Sequence, residues 1–112
     1  METIRVSSVR TGQTIRISVA GELDIASAPK VEEELRRTEE QRPEIIIIDL
    51  RELEFMDSTG LRAILAADAR AKELGARLVV VQGSENIQRV FQVTRLHERV
   101  EIVNDPSEVE GS

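Results

Sequence analysis

Apolar and polar residues alternate at the start of the chain: Ile4 and Val6, then Ile15, Ile17 and Val19. A period of two predicts strands with one buried face. Gly12 sits in the polar gap between the runs and predicts a hairpin turn, so the pair is read as antiparallel and half exposed. Gly21-Glu22-Leu23-Asp24 follows, and then the period changes. Ser27 is a candidate N-cap, and Pro29 falls in the first helical turn, where its missing N–H costs nothing. Val31 and Leu35 stand one turn apart on the inner side. Glu32–Arg36 and Glu33–Arg37 are i, i+4 pairs with the acid first, the favourable order on a wet helix face. Pro43 closes the segment.

Ile45-Ile46-Ile47-Ile48-Asp49-Leu50 is apolar on both faces, which predicts a central strand covered on each side by helices. After a short connection, residues 61–74 predict a helix with Leu61, Ile64, Ala67, Ala71 and Leu74 on one face. Gly75 stops it. Residues 78–81 read as a second buried strand. Ser84 then caps a third helix, with Ile87, Val90 and Phe91 inward. Residues 100–103 give a last edge strand, and the polar stretch 104–112 predicts a short helix or a frayed end. The order is β-β-α-β-α-β-α-β. That is an α/β class: a mixed sheet of four to five strands with helices packed against it and right-handed crossovers. No internal repeat interrupts it, and residues 1–112 are read as one domain.

Composition narrows what such a sheet can do. The chain has 112 residues and a net charge of -6, with two Phe, no Tyr and no Trp. Phosphate backbones repel such a protein, and it has almost nothing to stack on bases, so direct nucleic-acid binding is not expected. An anionic membrane surface is disfavoured for the same electrostatic reason. With no cysteine and one histidine, His97, disulfides, thiol chemistry and zinc sites drop out, and no cofactor or metal is expected. Met1-Glu2-Thr3-Ile4-Arg5 lacks the basic start of a signal peptide. The longest apolar run, Ile45 to Ile48, is far short of the ~18 residues of a membrane span. A cytoplasmic protein is expected.

The chemistry concentrates where a buried strand meets a helix: Leu53-Glu54-Phe55-Met56, then Asp57-Ser58-Thr59-Gly60-Leu61. Functional groups of α/β sheets gather at the carboxyl ends of the strands. Asp57 is a candidate N-cap. If it caps, Ser58 takes the first helical position with its hydroxyl free, at a helix end that favours anions, although Asp57 beside it repels them. The plainer reading is that Ser58 is only a cap. Leu61, three residues on, forms no capping box with it, and two hydroxyls beside an acid and a glycine are more than a cap requires. Both readings stand on the residues alone.

Three enzyme patterns fall short. Met56-Asp57-Ser58-Thr59-Gly60 looks like half of a Gly-x-Ser-x-Gly nucleophile elbow, but the first glycine is missing and His97 is the only base available. An aspartic protease needs its acid one residue nearer the glycine. The Gly-x-x-x-x-Gly-Lys-Ser/Thr phosphate loop is absent. Asp24 reads first as a loop acid or helix cap, Gly83-Ser84 as a capped strand-to-helix joint, and the glutamates of residues 32–40 as a solvated helix face.

On these residues the chain resembles the anti-sigma factor antagonists, small proteins of the STAS domain class. The resemblance is carried by Gly21-Glu22-Leu23-Asp24, Ala28-Pro29, Ile48-Asp49-Leu50, Phe55-Met56-Asp57-Ser58-Thr59-Gly60-Leu61, Gly75-Ala76, Val90-Phe91 and Thr94-Arg95-Leu96. It implies a four- or five-stranded mixed sheet and a partner-switching role without catalysis. The serine matching Ser58 is then phosphorylated by an anti-sigma factor that is also a serine kinase. The unmodified protein binds that kinase and frees a sigma factor. The phosphorylated form binds poorly, and a PP2C-type phosphatase resets it. ATP, metal and catalytic base belong to the kinase.

The resemblance further implies a monomer whose docking surface includes Asp24, Asp57, Ser58, Thr59 and Gly60, with Thr59 a second-choice acceptor. The chain departs from the family where Arg95 replaces a usual glycine and where the C-terminal helix is shortened or missing after Asp105-Pro106. STAS domains also serve as scaffold subunits of stress-signalling or lipid-transport assemblies; a free-standing chain that keeps Ser58 favours the first role. A small hydrolase built on Ser58 and His97 is the third reading.

Overall fold

A computed structural model describes residues 4–110; residues 1–3, and the end of the predicted tail at 111–112, lie outside it. The expected hairpin is present: β1 (Ile4–Thr11) and β2 (Thr14–Leu23) pair antiparallel. Gly12, at φ 62°, supplies the left-handed backbone of their turn. Then come α1 (Ala28–Glu40), β3 (Ile45–Met56), α2 (Ser58–Leu74), β4 (Arg77–Val81), α3 (Glu85–Thr94), a 3₁₀ turn at Leu96–Glu98, β5 (Glu101–Val103) and α4 (Ser107–Glu110). The five strands lie in sequence order, with β2 to β5 mutually parallel.

That order decides where the helices go. Parallel crossovers are right-handed. A strictly sequential order therefore sends every crossover helix to the same face. Val31 and Leu35 of α1, Ile64 and Ala67 of α2 and Phe91 of α3 join one core with Ile17, Ile48 and Val80 of the strands. The expectation of helices on both sides of the central strand is corrected here, because covering both faces with full helices needs a reversal of strand order. Ile47, Val79 and Val81 on the second face pack instead against Val109 of the four-residue α4. Arg51 donates to Asp49 from Nη2 at 2.8 Å and from Nε at 3.0 Å, and its Nη1 lies 3.8 Å from Asp105, just ahead of α4. The Ser107 backbone N–H, assisted by Arg51, holds the Asp105 carboxyl below its ordinary range.

The largest departure from the sequence reading is the length of β3. Its core-facing residues are Ile46, Ile48, Leu50, Leu53 and Met56, so the spacing changes from two to three. Two irregularities in the β2–β3 register, between Ser18 and Ala20 and between Gly21 and Glu22, each place one extra residue on β3. Such bulges break the alternation that marks a strand, and the predicted connection after Leu50 is this bulged strand. Gly21 stands at the second bulge with φ 103°.

Smaller differences have local causes. Leu74, expected inward, is 45% exposed at the last turn of α2. Arg37 pairs with Glu33 at 3.4 Å as expected, while no ion pair joins Glu32 to Arg36 among the described residues. Ser84 caps α3 as predicted, accepting from the Ile87 N–H at 3.4 Å.

Two predictions follow from strained or unsatisfied groups. The Thr38 hydroxyl is fully buried in α1 and has no hydrogen-bond partner among the described residues. Thr38→Val keeps the shape and removes the stranded group, so urea unfolding should show a gain of about 1 kcal/mol. Arg95, in place of the resembling family's glycine, ends α3 in the left-handed region at φ 57°, ψ 34°. An L side chain pays about 1–2 kcal/mol there. Arg95→Gly should stabilise by about 0.5–1 kcal/mol once glycine's greater unfolded-state entropy is subtracted; a loss in the same assay would overturn this account.

Candidate functional site

Because β2, β3 and β4 run parallel, their carboxyl ends lie along one rim of the sheet. Asp24 and Asp57 stand at the ends of β2 and β3, before α1 and α2, while Ser84 starts α3 further back along β3, where the preceding Gly83 packs on Leu50 and Arg51. The β3–α2 joint is a single residue, Asp57, in extended conformation at φ -100°, ψ -172°. Its backbone N–H donates to the Leu23 carbonyl at 3.1 Å, which ties the joint to the end of β2. Its carboxylate oxygen Oδ1 accepts from the N–H groups of Thr59 at 2.9 Å and Gly60 at 3.2 Å.

This geometry separates the two readings of Ser58. Asp57 does the capping, and Ser58 occupies the first helical position, exposed. The Ser58 hydroxyl makes no hydrogen bond among the described residues, and none joins it to His97, which lies exposed in the 3₁₀ turn after α3. A hydrolytic site would need a base in contact with that hydroxyl. The neighbouring Thr59 is half-buried.

Gly60 is buried for a steric reason. A Cβ built there would lie 2.7 Å from Leu23 Cγ and 2.8 Å from Met56 Cγ. The first turn of α2 thus rests directly on the ends of β2 and β3. Gly83 closes the β4–α3 joint in the same way: a Cβ there would stand 2.5 Å from the Leu50 carbonyl oxygen.

Asp24 is half-buried and builds the β2–α1 turn. Its Oδ1 accepts from the N–H groups of Ala26 and Ser27, both at 3.0 Å. Ser27 holds the N-cap position of α1 without making the expected cap bond. Its hydroxyl donates to the Glu22 carbonyl at 2.8 Å and accepts from the Asp24 N–H at 2.9 Å. The structure therefore places Asp24 and Asp57 on one rim, each with a carboxylate oxygen engaged in shaping the backbone.

Two rim residues escaped the sequence reading. Ile25 is 75% exposed, and Phe55 is 48% exposed on β3, one residue past Glu54 and paired in register with Glu22. Counting residues would turn Phe55 inward with Leu53; the bulge turns it out. The rim thus offers an unengaged serine hydroxyl among carboxylates and two exposed apolar side chains, with no cluster of side chains that could hold a metal ion among the described residues.

A family model described as "STAS domain" matches residues 5–109. Curated relatives share the pattern along most of the chain. The anti-sigma-B factor antagonist of Listeria monocytogenes is 37% identical over 98 residues, covering 88% of this chain and 86% of the relative. That of Bacillus subtilis is 32% identical over 99 residues, covering 88% and 90%. Among solved structures, the anti-sigma factor antagonist SpoIIAA in its unphosphorylated form superposes with a TM-score of 0.79 at 21% identity, covering 96% of this chain and 98% of that one. The Bacillus cell fate determinant SpoIIAA in its phosphorylated form gives 0.70 at 21%, covering 96% of both chains. At these identities the two structures speak for the fold alone. No helix of the described residues is long and apolar enough to cross a membrane.

The seating of Gly60 gives a prediction. Gly60→Ala should lose about 1–2 kcal/mol in chemical unfolding, because overpacking against Leu23 and Met56 outweighs alanine's better helix propensity. Equal or higher stability would mean that α2 is not held against the strand ends as described.

Proposed function

The chain belongs to the STAS domain family, and we propose that it acts within it as a phosphorylation-switched anti-sigma factor antagonist. The observation that carries this reading is the Ser58 hydroxyl, presented without a hydrogen bond at the first position of α2 while Asp57 satisfies the helix end. A serine so placed can be modified without dismantling a cap. The similarity to anti-sigma-B factor antagonists supports the target. The phosphorylated form of SpoIIAA supports the kind of switch.

In the proposed cycle the unmodified rim docks on an anti-sigma factor that is also a serine kinase, and a sigma factor is released. Ile25 and Phe55 supply apolar contact area. The kinase then transfers the γ-phosphoryl group of ATP: the Ser58 Oγ–P bond forms, the bond to ADP breaks, and the hydroxyl proton passes to a base on the kinase. This chain is the substrate and does no catalysis. The phosphate brings about -1.5 to -2 charge at pH 7 to a rim that already holds Asp24 and Asp57. Like-charge repulsion and the cost of burying a dianion then oppose docking, with little change in the fold. A PP2C-type phosphatase restores the hydroxyl, and the cycle runs in the cytoplasm.

The test uses serine-kinase anti-sigma factors of the source genome, each purified and incubated with ATP and this protein. Intact mass should show one added phosphate on the wild type and on Thr59→Ala, and none on Ser58→Ala. By calorimetry, Ser58→Ala should bind about as well as the unmodified protein. The phosphoprotein and Ser58→Asp should bind at least about tenfold more weakly, near 1.4 kcal/mol. Phosphate kept by Ser58→Ala and lost by Thr59→Ala would move the acceptor by one residue. Undiminished affinity of the phosphoprotein would sink the switch.

A further inference from the structure

Arg62 stands one turn after Ser58 on α2. It is exposed and engages in no ion pair among the described residues. Helical side chains lean toward the helix N-terminus, so a residue at i+4 reaches back over the residue at i. The order, with the anionic position first and the cation four residues later, is the favourable one. Of the first-turn backbone, a phosphate on Ser58 finds only the N–H of Ser58 itself without a bond among the described residues. The N–H groups of Thr59 and Gly60 are taken by Asp57 Oδ1, and that of Leu61 is bonded to the Asp57 carbonyl at 3.2 Å. The exposed guanidinium of Arg62 is the group so placed that lacks a partner of its own.

We infer that Arg62 is the phosphate-binding residue of this chain, holding a phosphate on Ser58 along the first turn of α2. The inference rests on the proposed modification of Ser58. Guanidinium and phosphate match in geometry and form charge-assisted, often bidentate hydrogen bonds. Phosphorylation then does two things at the rim. It adds an anion beside Asp57, and it withdraws a free cation from any partner onto the chain's own phosphate.

The test installs phosphoserine at position 58 during synthesis of the full chain, so that no kinase is needed. The phosphorus NMR signal is titrated with pH in the wild type, Arg62→Gln and Arg62→Lys. A phosphoserine ordinarily loses its second proton near pH 6. Arg62 favours the dianion, so its pKa in the wild type should lie a few tenths of a pH unit below that in Arg62→Gln. Arg62→Lys should recover most of the difference, which a purely structural role for Arg62 would not produce. Wild-type and Arg62→Gln values agreeing within about 0.1 would overturn the inference. Melting of the three unphosphorylated proteins should coincide, because the side chain is exposed and unpaired. Failure of the proposed switch would show separately, as no transfer of phosphate to Ser58 by the kinases.

Discussion

Everything at the rim depends on the contact between the first turn of α2 and the end of β2. Asp57 donates its N–H to the Leu23 carbonyl, and Gly60 brings the helix backbone down onto the Leu23 side chain. With the joint pinned there, the Asp57 carboxylate reaches the Thr59 and Gly60 amides, and Ser58 is left outside the hydrogen-bonding scheme. A side chain at residue 60 would lift the helix start and loosen each of these relations together. The free serine is thus a product of close packing at the strand ends.

The sheet supplies the second constraint. Sequential parallel strands with one crossover hand put α1, α2 and α3 on a single face, with the starts of α1 and α2 side by side at the ends of β2 and β3. The opposite face keeps a lighter cover, with Val109 of α4 set on Ile47, Val79 and Val81 and Arg51 linking Asp49 to Asp105. The ends of β2 and β3, where α1 and α2 start, carry the carboxylates of Asp24 and Asp57 and the exposed Ile25 and Phe55. Negative charge at that rim has the greatest leverage because its neighbours there are already acidic.

Charge placement also explains how one small group could redirect binding without a refolding step. Asp57 already engages the Thr59 and Gly60 amides, so an added phosphate has little backbone to fold into. What it can engage is side-chain charge within reach, favourable with Arg62 and unfavourable with Asp57.

Most of the element order was legible in the sequence, because alternation, caps and turn residues act over a few positions. Asp57 as cap, Ser58 at the first helical position, Gly75 and Ser84 all rest on such local rules, and the structure places them as expected. The length of β3 was not legible. Bulges arise from pairing with β2, a partner some thirty residues away, and they turn Leu50, Leu53 and Met56 to the core at a spacing no strand rule anticipates. The outward turn of Phe55 has the same origin, while the one-sided helix layer comes from the strand order and the crossover hand. Residue types by themselves determined which groups could carry chemistry; only the tertiary structure decided which of them face outward together, because strand register and crossover hand are relations between distant segments.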